Sequence, residues 1–145
     1  MKNKFFSICI PSYNRPAEIR RLLDSIDTTH FDEVEIVICE DKAPKREEVR
    51  AQVQDFISKT KYEVNYIENE VNCGYDKNMR NLICAAKGHF IMFMGDDDLF
   101  MPKAFDKFFD FAKKHSDCGY ILRSYRNNYA DGSHEDFRYY PSDKV

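Results

Sequence analysis

No apolar run in this 145-residue chain approaches the roughly 18–20 residues that would span a bilayer. The opening Met1-Lys2-Asn3-Lys4 leads into a short apolar stretch without a small-residue cleavage site, so no signal peptide is expected. Basic residues are not in excess: 22 Lys and Arg stand against 25 Asp and Glu, for a net charge of −3. That balance excludes a generally basic nucleic-acid-binding surface and leaves room only for a local patch. Cysteines are few and odd in number, five in all, with no CxxC and no Cys/His zinc spacing. Cys9, Cys39 and Cys84 lie inside apolar segments, Cys73 and Cys118 in loops or element ends, which predicts reduced thiols and a cytoplasmic protein. The histidines (His30, His89, His115 and His134) are scattered, and no internal repeat or low-complexity tract is present. What is present is the balance of a soluble globular domain, 43% apolar and 32% charged, long enough to bury a core without disulfides.

Apolar patterning alternates between two periods. Phe5 to Ile10 reads as a strand stopped by Pro11, Val34 to Cys39 as a second, Glu63 to Ile67 as a weaker third, and His89 to Met94 as a fourth. Between them, Ile19, Leu22, Leu23 and Ile26 fall on one helical face, as do Val49, Val53, Phe56 and Ile57. A third helix is predicted over Tyr75 to Ala86, and a fourth opens at Pro102 with Phe105, Phe108, Phe109 and Ala112 on one side. Gly119 to Ser124 reads as a fifth strand, and Asp131-Gly132 as a hairpin turn. Strands alternating with amphipathic helices predict an α/β fold with a mostly parallel, Rossmann-like sheet flanked by helices. In that class ligands bind beyond the carboxyl ends of the strands, so the residues after each strand matter most.

Those residues are polar and acidic. Pro11, Ser12, Tyr13, Asn14 and Arg15 follow the first strand, Glu40 and Asp41 the second, Glu68, Asn69, Asn72 and Gly74 the third, and Asp96, Asp97 and Asp98 the fourth. Three adjacent carboxylates at the end of a buried strand repel one another and call for a cation. Hard oxygen donors suit Mg²⁺ or Mn²⁺ completed by substrate phosphates. The plainer reading is a solvated acidic turn, with Asp98 favouring the N-terminus of the Pro102 helix. Asp41 would either accept hydrogen bonds from a nucleobase or start the turn before Pro44. Tyr13 would stack on a base or cover the sheet edge, and Arg15 would pair with a phosphate or stay solvated. For Asp76 and Asn78, at the start of the third helix, N-capping is the plain role.

Together these pieces resemble the nucleotide-binding half of family 2 glycosyltransferases of the GT-A fold. Ile8-Cys9-Ile10-Pro11-Ser12-Tyr13-Asn14-Arg15 is similar to the family's opening strand and P-[ST]-Y-N. Val34 to Asp41, Asn72-Cys73-Gly74, Ala85 to Ile91 and Phe93 to Asp98 come next in the family's order, with Pro102 after the last aspartate. The resemblance covers roughly residues 5–112. It implies nucleotide binding by Pro11, Ser12, Tyr13, Arg15, Asp41, Asn72, Asn78 and Asp96, a divalent ion (Mn or Mg) on Asp97 and Asp98, and Asp41 on the base. Two positions depart from the common pattern: Gly95 stands where the first aspartate of the usual motif falls, which leaves open whether Asp97 alone or Asp96 with Asp98 binds the ion, and Asn78-Met79-Arg80 replaces Ala-Arg-Asn.

The implied reaction is inverting, metal-dependent transfer of a sugar from a nucleotide-diphosphate donor, UDP-type favoured, to the hydroxyl of a saccharide or lipid-linked acceptor. Such transfer serves surface polysaccharide or lipopolysaccharide synthesis, at a cytoplasmic or peripheral inner-membrane location. Residues 1–124 are then the nucleotide-sugar-binding domain and 125–145 the start of an acceptor-side portion, in a chain that reads as truncated. No convincing general base stands among Tyr125 to Val145, so the base is expected beyond Val145. Rival readings remain. A phosphoacceptor receiver would need a lysine after a fifth strand, where Leu122-Arg123-Ser124 has none, and a nucleotidyltransferase a glycine-rich basic loop after the first. A non-catalytic nucleotide-binding or protein-interaction domain is harder to set aside, because Tyr125, Tyr129, Phe137, Tyr139 and Tyr140 would make a contact surface.

Overall fold

A computed structural model describes residues 4–138, so Tyr139 and Tyr140 of the terminal aromatic segment lie outside the described residues. Two compact units divide the chain, residues 1–106 and 107–145. The first carries β1 (Phe6–Ser12), α1 (Pro16–Ser25), β2 (Val34–Glu40), α2 (Arg46–Lys59), β3 (Glu63–Glu68), α3 (Tyr75–Ala85) and β4 (Phe90–Phe93). Helix α4 (Ala104–Lys114) crosses the division, and the second unit continues with β5 (Tyr125–Asn128) and β6 (His134–Phe137).

Strands β3-β2-β1-β4 form one sheet in that order, every neighbour parallel. The interior strand β2 is buried along its whole length: Val34, Ile36, Val37, Ile38 and Cys39 supply apolar side chains to both faces, as a doubly covered parallel strand requires, and Glu35 and Glu40 are buried with them. On one face Cys9, Val37 and Cys39 pack with Leu82 of α3, bordered by Ile67, Met79, Ala85 and Ala86. Ile8, Ile10, Ile36 and Ile38, which alternate with them, are buried on the other face, as are Ile19, Leu22 and Leu23 of α1 and Val49, Val53 and Phe56 of α2.

All five cysteines are free thiols. Burial, and secondarily Glu35, pushes the Cys9 thiol up to about 12, and burial raises Cys39 to about 11, so both act as protonated small hydrophobes. Cys84, read as lying inside an apolar segment, is exposed.

Three local expectations are corrected. Strand β1 does not stop at Pro11 but runs through it to Ser12. Met94 N donates to Cys9 O, so Cys9 faces β4, and Pro11, two residues on, faces the same way. The β1–β4 ladder ends at the Cys9–Phe93 pair, so the missing Pro11 N–H leaves no ladder partner unsatisfied. Helix α4 starts at Ala104, not Pro102, because Lys103 is in the left-handed region (φ 59°). No strand forms over 119–124. The second unit instead builds an antiparallel hairpin from β5 and β6, turned at Gly132 (φ 83°) as Asp131-Gly132 predicts, with Tyr125 stacked on Phe137 at 4.9 Å.

Candidate functional site

The strand order reverses between β1 and β4, and such a switch point opens a crevice at the carboxyl ends of the strands. Register aligns those ends: Ser12 pairs with Glu40, and Glu40 with Glu68. The β1–β4 register, carried on past Cys9–Phe93, brings Asp96 level with Ser12. The segments after all four strands therefore share one edge, where two groups of polar residues form.

The first group spans the switch point. Tyr13 N donates to Asp96 Oδ2 at 3.1 Å, and Arg15 Nη1 donates to Asp96 Oδ1 at 3.1 Å. The same Nη1 lies 2.6 Å from Asp97 Oδ2. Asp96 is buried (6% exposed), whereas the side chains of Arg15 and Asp97 are 49% and 52% exposed. Burial pushes the Asp96 carboxyl above the ordinary carboxylate range, against the Tyr13 N–H and Arg15, which pull it down. Asp96, then Asp97, hold the Arg15 guanidinium above its own usual range.

Asp98 behaves differently. Its Oδ2 accepts from Gly95 N at 3.1 Å while its own N–H donates to Gly95 O, so it closes the 95–98 turn. With α4 beginning at Ala104, it does not cap that helix. A Cβ at Gly95 would come within 3.0 Å of Asp97 Oδ1 and 3.2 Å of Asp98 Oδ2, which gives the glycine a physical reason at that position.

The second group centres on Asp41, buried at 4% exposure. Its Oδ1 accepts from Asn69 Nδ2 and from Cys73 N, both at 2.8 Å, and its Oδ2 accepts from Gly74 N at 2.9 Å. Asn69 Nδ2 also donates to Asn78 Oδ1 at 3.0 Å, Asn78 Nδ2 to Cys39 O at 2.9 Å, and Asn81 Nδ2 to Asn69 Oδ1 at 2.9 Å. Asn78 is thus no N-cap but the buried tie between α3 and β2. Asn72 is exposed, and its Oδ1 accepts from Gly74 N at 3.1 Å. Asp41 N donates to Ser12 O at 3.1 Å and joins the two groups. Ser12 Oγ is buried at this junction with no hydrogen-bond partner among the described residues. Pro11 is half-buried beside it, and Tyr13 is 48% exposed.

Glu40 turns away from both groups. Fully buried, it accepts from Lys42 N at 3.1 Å, Ala43 N at 2.6 Å and Arg46 Nε at 2.5 Å, while Arg46 Nη2 donates to Asn69 O. Arg46→Ala strips the only side-chain cation from this carboxylate among the described residues and is expected to cost about 3 kcal/mol, read as a lower urea midpoint.

The sequence profile of glycosyl transferase family 2 matches residues 7–143. The chain belongs to this family. An uncharacterized glycosyltransferase of Haemophilus influenzae is 30% identical over 115 residues, which cover 79% of this chain and 37% of that protein. Among solved structures, residues 1–349 of TarS from S. aureus share the fold at a TM-score of 0.69 and 23% identity, over 77% of this chain and 33% of that one. The same TarS segment is also known in complex with UDP-GlcNAc. The mannosyltransferase PcManGT of Pyrobaculum calidifontis, solved with GDP-Man and Mn²⁺, aligns at a TM-score of 0.61 and 17% identity, covering 66% of this chain and 28% of that one. The α/β architecture matches these GT-A neighbours. The chain spans well under half the length of the curated relative it matches.

Within this family member, the structure brings Tyr13, Arg15, Asp96 and Asp97 into one group and Asp41 and Asn78 into the other. It leaves Asn72 at the surface and uses Asp98 to hold a turn. Asn69, Asn81 and Arg46 complete the edge and carry no motif of their own. Their signal was position: Asn69 directly follows a strand, and Asn81 is one helical turn from Asn78.

Proposed function

We propose that this edge binds a nucleotide-diphosphate sugar together with a divalent cation, Mn or Mg, and transfers the sugar with inversion to an acceptor hydroxyl. The observation that carries the reading is the carboxylate pair Asp96 and Asp97 at the β1–β4 switch point, beside a backbone and cation already in contact with them. Asp41 and the exposed Tyr13 ring face the base side, Pro11, Ser12, Asn72 and Asn78 form or support the pocket wall, and Arg15 serves the diphosphate. Residues 1–124 act as the nucleotide-sugar-binding domain.

The donor set fits a hard divalent ion in kind, since Asp97 and Asp98 both offer carboxylate oxygens and both residues are exposed at the end of β4. Among the described residues no group of three or more His, Cys, Asp or Glu is placed to hold a metal ion, so an ion here would need further oxygens from phosphate and water. Asp97 would hold it, and Asp98 would join by releasing Gly95 N. A bound ion there supplies Lewis-acid stabilisation of charge on the departing diphosphate. The chain's own residues orient the donor: Asp96 fixes the backbone at Tyr13, and Asp41 fixes the 73–74 backbone that borders the pocket. The base that deprotonates the acceptor is proposed to come from the second half of the catalytic domain.

A saccharide or lipid-linked acceptor and a role in surface polysaccharide or lipopolysaccharide assembly are part of this reading, as is a cytoplasmic or membrane-peripheral location. Among the described residues no helix is long and apolar enough to cross a membrane. Thermal melting tests the site. UDP with Mn²⁺ is expected to raise the melting temperature by several degrees, since saturation at about 100 times Kd contributes about 2.7 kcal/mol. Asp97→Ala should abolish the Mn²⁺-dependent part. No shift with any nucleoside diphosphate in the presence of metal overturns the reading.

A further inference from the structure

We propose that Arg15 is an internal counter-cation that makes nucleotide and metal binding interdependent: it opposes the divalent ion alone and favours the ion together with a diphosphate. The inference rests on the nucleotide-and-ion reading of the site given above. It is drawn from the unequal pairs that one guanidinium nitrogen makes with two carboxylates.

Arg15 Nη1 reaches Asp96 Oδ1 at 3.1 Å and Asp97 Oδ2 at 2.6 Å. The first partner is fixed: Asp96 is buried, and its other oxygen is held by the Tyr13 N–H. The second is half in water, as is Arg15 itself, so that pair exchanges at little cost. Arg15 is therefore tethered at Asp96 and exchangeable at Asp97. Its helix does not restrain it further, because Arg15 precedes α1, where Pro16 takes the first turn.

Repulsion between like charges sets the response to an ion. A divalent ion on Asp97 faces the guanidinium at close range, and one of the two must leave that oxygen. With the ion alone, Arg15 loses its Asp97 partner and gains none, so binding of the ion is weakened. When a diphosphate accompanies the ion, its oxygens offer the displaced guanidinium a charge-assisted partner. The same side chain then adds to affinity. Coupling of this kind is reciprocal: the diphosphate strengthens ion binding by the factor by which the ion strengthens diphosphate binding.

The test measures two dissociation constants on the intact chain, with Arg15→Gln and Arg15→Lys beside the unaltered protein. Mn²⁺ alone is followed by loss of the free-ion electron paramagnetic resonance signal, and UDP by isothermal titration with and without saturating Mn²⁺. Arg15→Gln is expected to tighten Mn²⁺ alone by about three- to fivefold, the scale of a half-exposed ion pair. It is also expected to weaken UDP in the presence of Mn²⁺ by about tenfold. Arg15→Lys keeps the charge and should stay near the unaltered protein for Mn²⁺ alone. Unchanged or weaker Mn²⁺ binding by Arg15→Gln, with UDP–Mn²⁺ binding intact in the unaltered chain, overturns the counter-cation role and leaves the site reading standing. Absence of UDP–Mn²⁺ binding in the unaltered chain overturns both. Equal Mn²⁺ affinity in the Gln and Lys variants also contradicts the proposal, since the charge would then not matter.

Discussion

Gly88→Ala is expected to destabilise the fold by about 3 kcal/mol, seen as a lower urea midpoint with an unchanged slope. A Cβ at this position would lie 2.5 Å from Ser7 N and 2.7 Å from Phe6 C, both backbone atoms of β1. Strand β1 is held between β2 and β4 and has no free side toward which to move. The same Cβ would press on Ser7 Oγ at 2.8 Å, which accepts from Gly88 N and donates to Glu35 Oε1. Lys87 N donates to that same carboxylate oxygen at 2.6 Å. Glu35 is completely buried and its Oε2 has no hydrogen-bond partner among the described residues, so disturbing these two donors leaves a buried carboxylate without support. Gly119→Ala is the control. No atom of the described residues lies within 4 Å of a Cβ there, and a change within about 0.5 kcal/mol is expected.

Asp41→Ala is expected to cost about 3 kcal/mol of stability and, on the proposed reading of this edge, to weaken UDP binding at least about tenfold. The carboxylate accepts from the Cys73 and Gly74 N–H groups and from the Asn69 amide, and alanine accepts from none of them. Asn69 is buried, so the one Nδ2–H that loses its acceptor, the other still meeting Asn78 Oδ1, carries most of the desolvation cost, while the backbone of 73–74 is partly open to water. The two consequences separate by method. Hydrogen exchange should accelerate at the Cys73 and Gly74 amides whatever the pocket binds. Asp41→Asn should behave like the alanine variant at those amides wherever its NH₂ replaces the accepting oxygen, because two donors then face each other. Unchanged exchange in both variants would contradict the role given to this carboxylate.

Much of the edge was legible in the sequence because periodicity and strand ends arise from local chemistry. The β-branched run at Val34 to Cys39 and the 3.6-residue stripe at Ile19 to Ile26 admit one reading each, and parallel register then delivers Ser12, Asp41 and Asp96 to one edge. What failed depended on neighbours. Pro11 reads as a strand stop unless the end of the β4 ladder is known. Pro102 reads as a helix start, yet Lys103 takes a left-handed backbone and delays α4 to Ala104. Gly119 to Ser124 has strand-like composition but gains no partner strand among the described residues. Asn78 reads as a cap because asparagine often is one, and only tertiary packing shows its amide spent on Cys39 O. Among the three aspartates the sequence has no means of separating roles, which burial does: Asp96 is enclosed, Asp97 faces water and Asp98 folds back on Gly95.

Amide-resolved nuclear magnetic resonance of the chain tests whether ion and nucleotide meet at the β1–β4 switch point. With UDP present, substoichiometric Mn²⁺ is predicted to broaden the amides of Tyr13 and Asp96 to Asp98 first, while UDP with Mg²⁺ shifts those of Asp41, Cys73 and Gly74. Broadening centred on another acidic surface, such as Glu47 and Glu48 on α2, or UDP shifts that leave the ends of β1, β2 and β4 untouched, would contradict it.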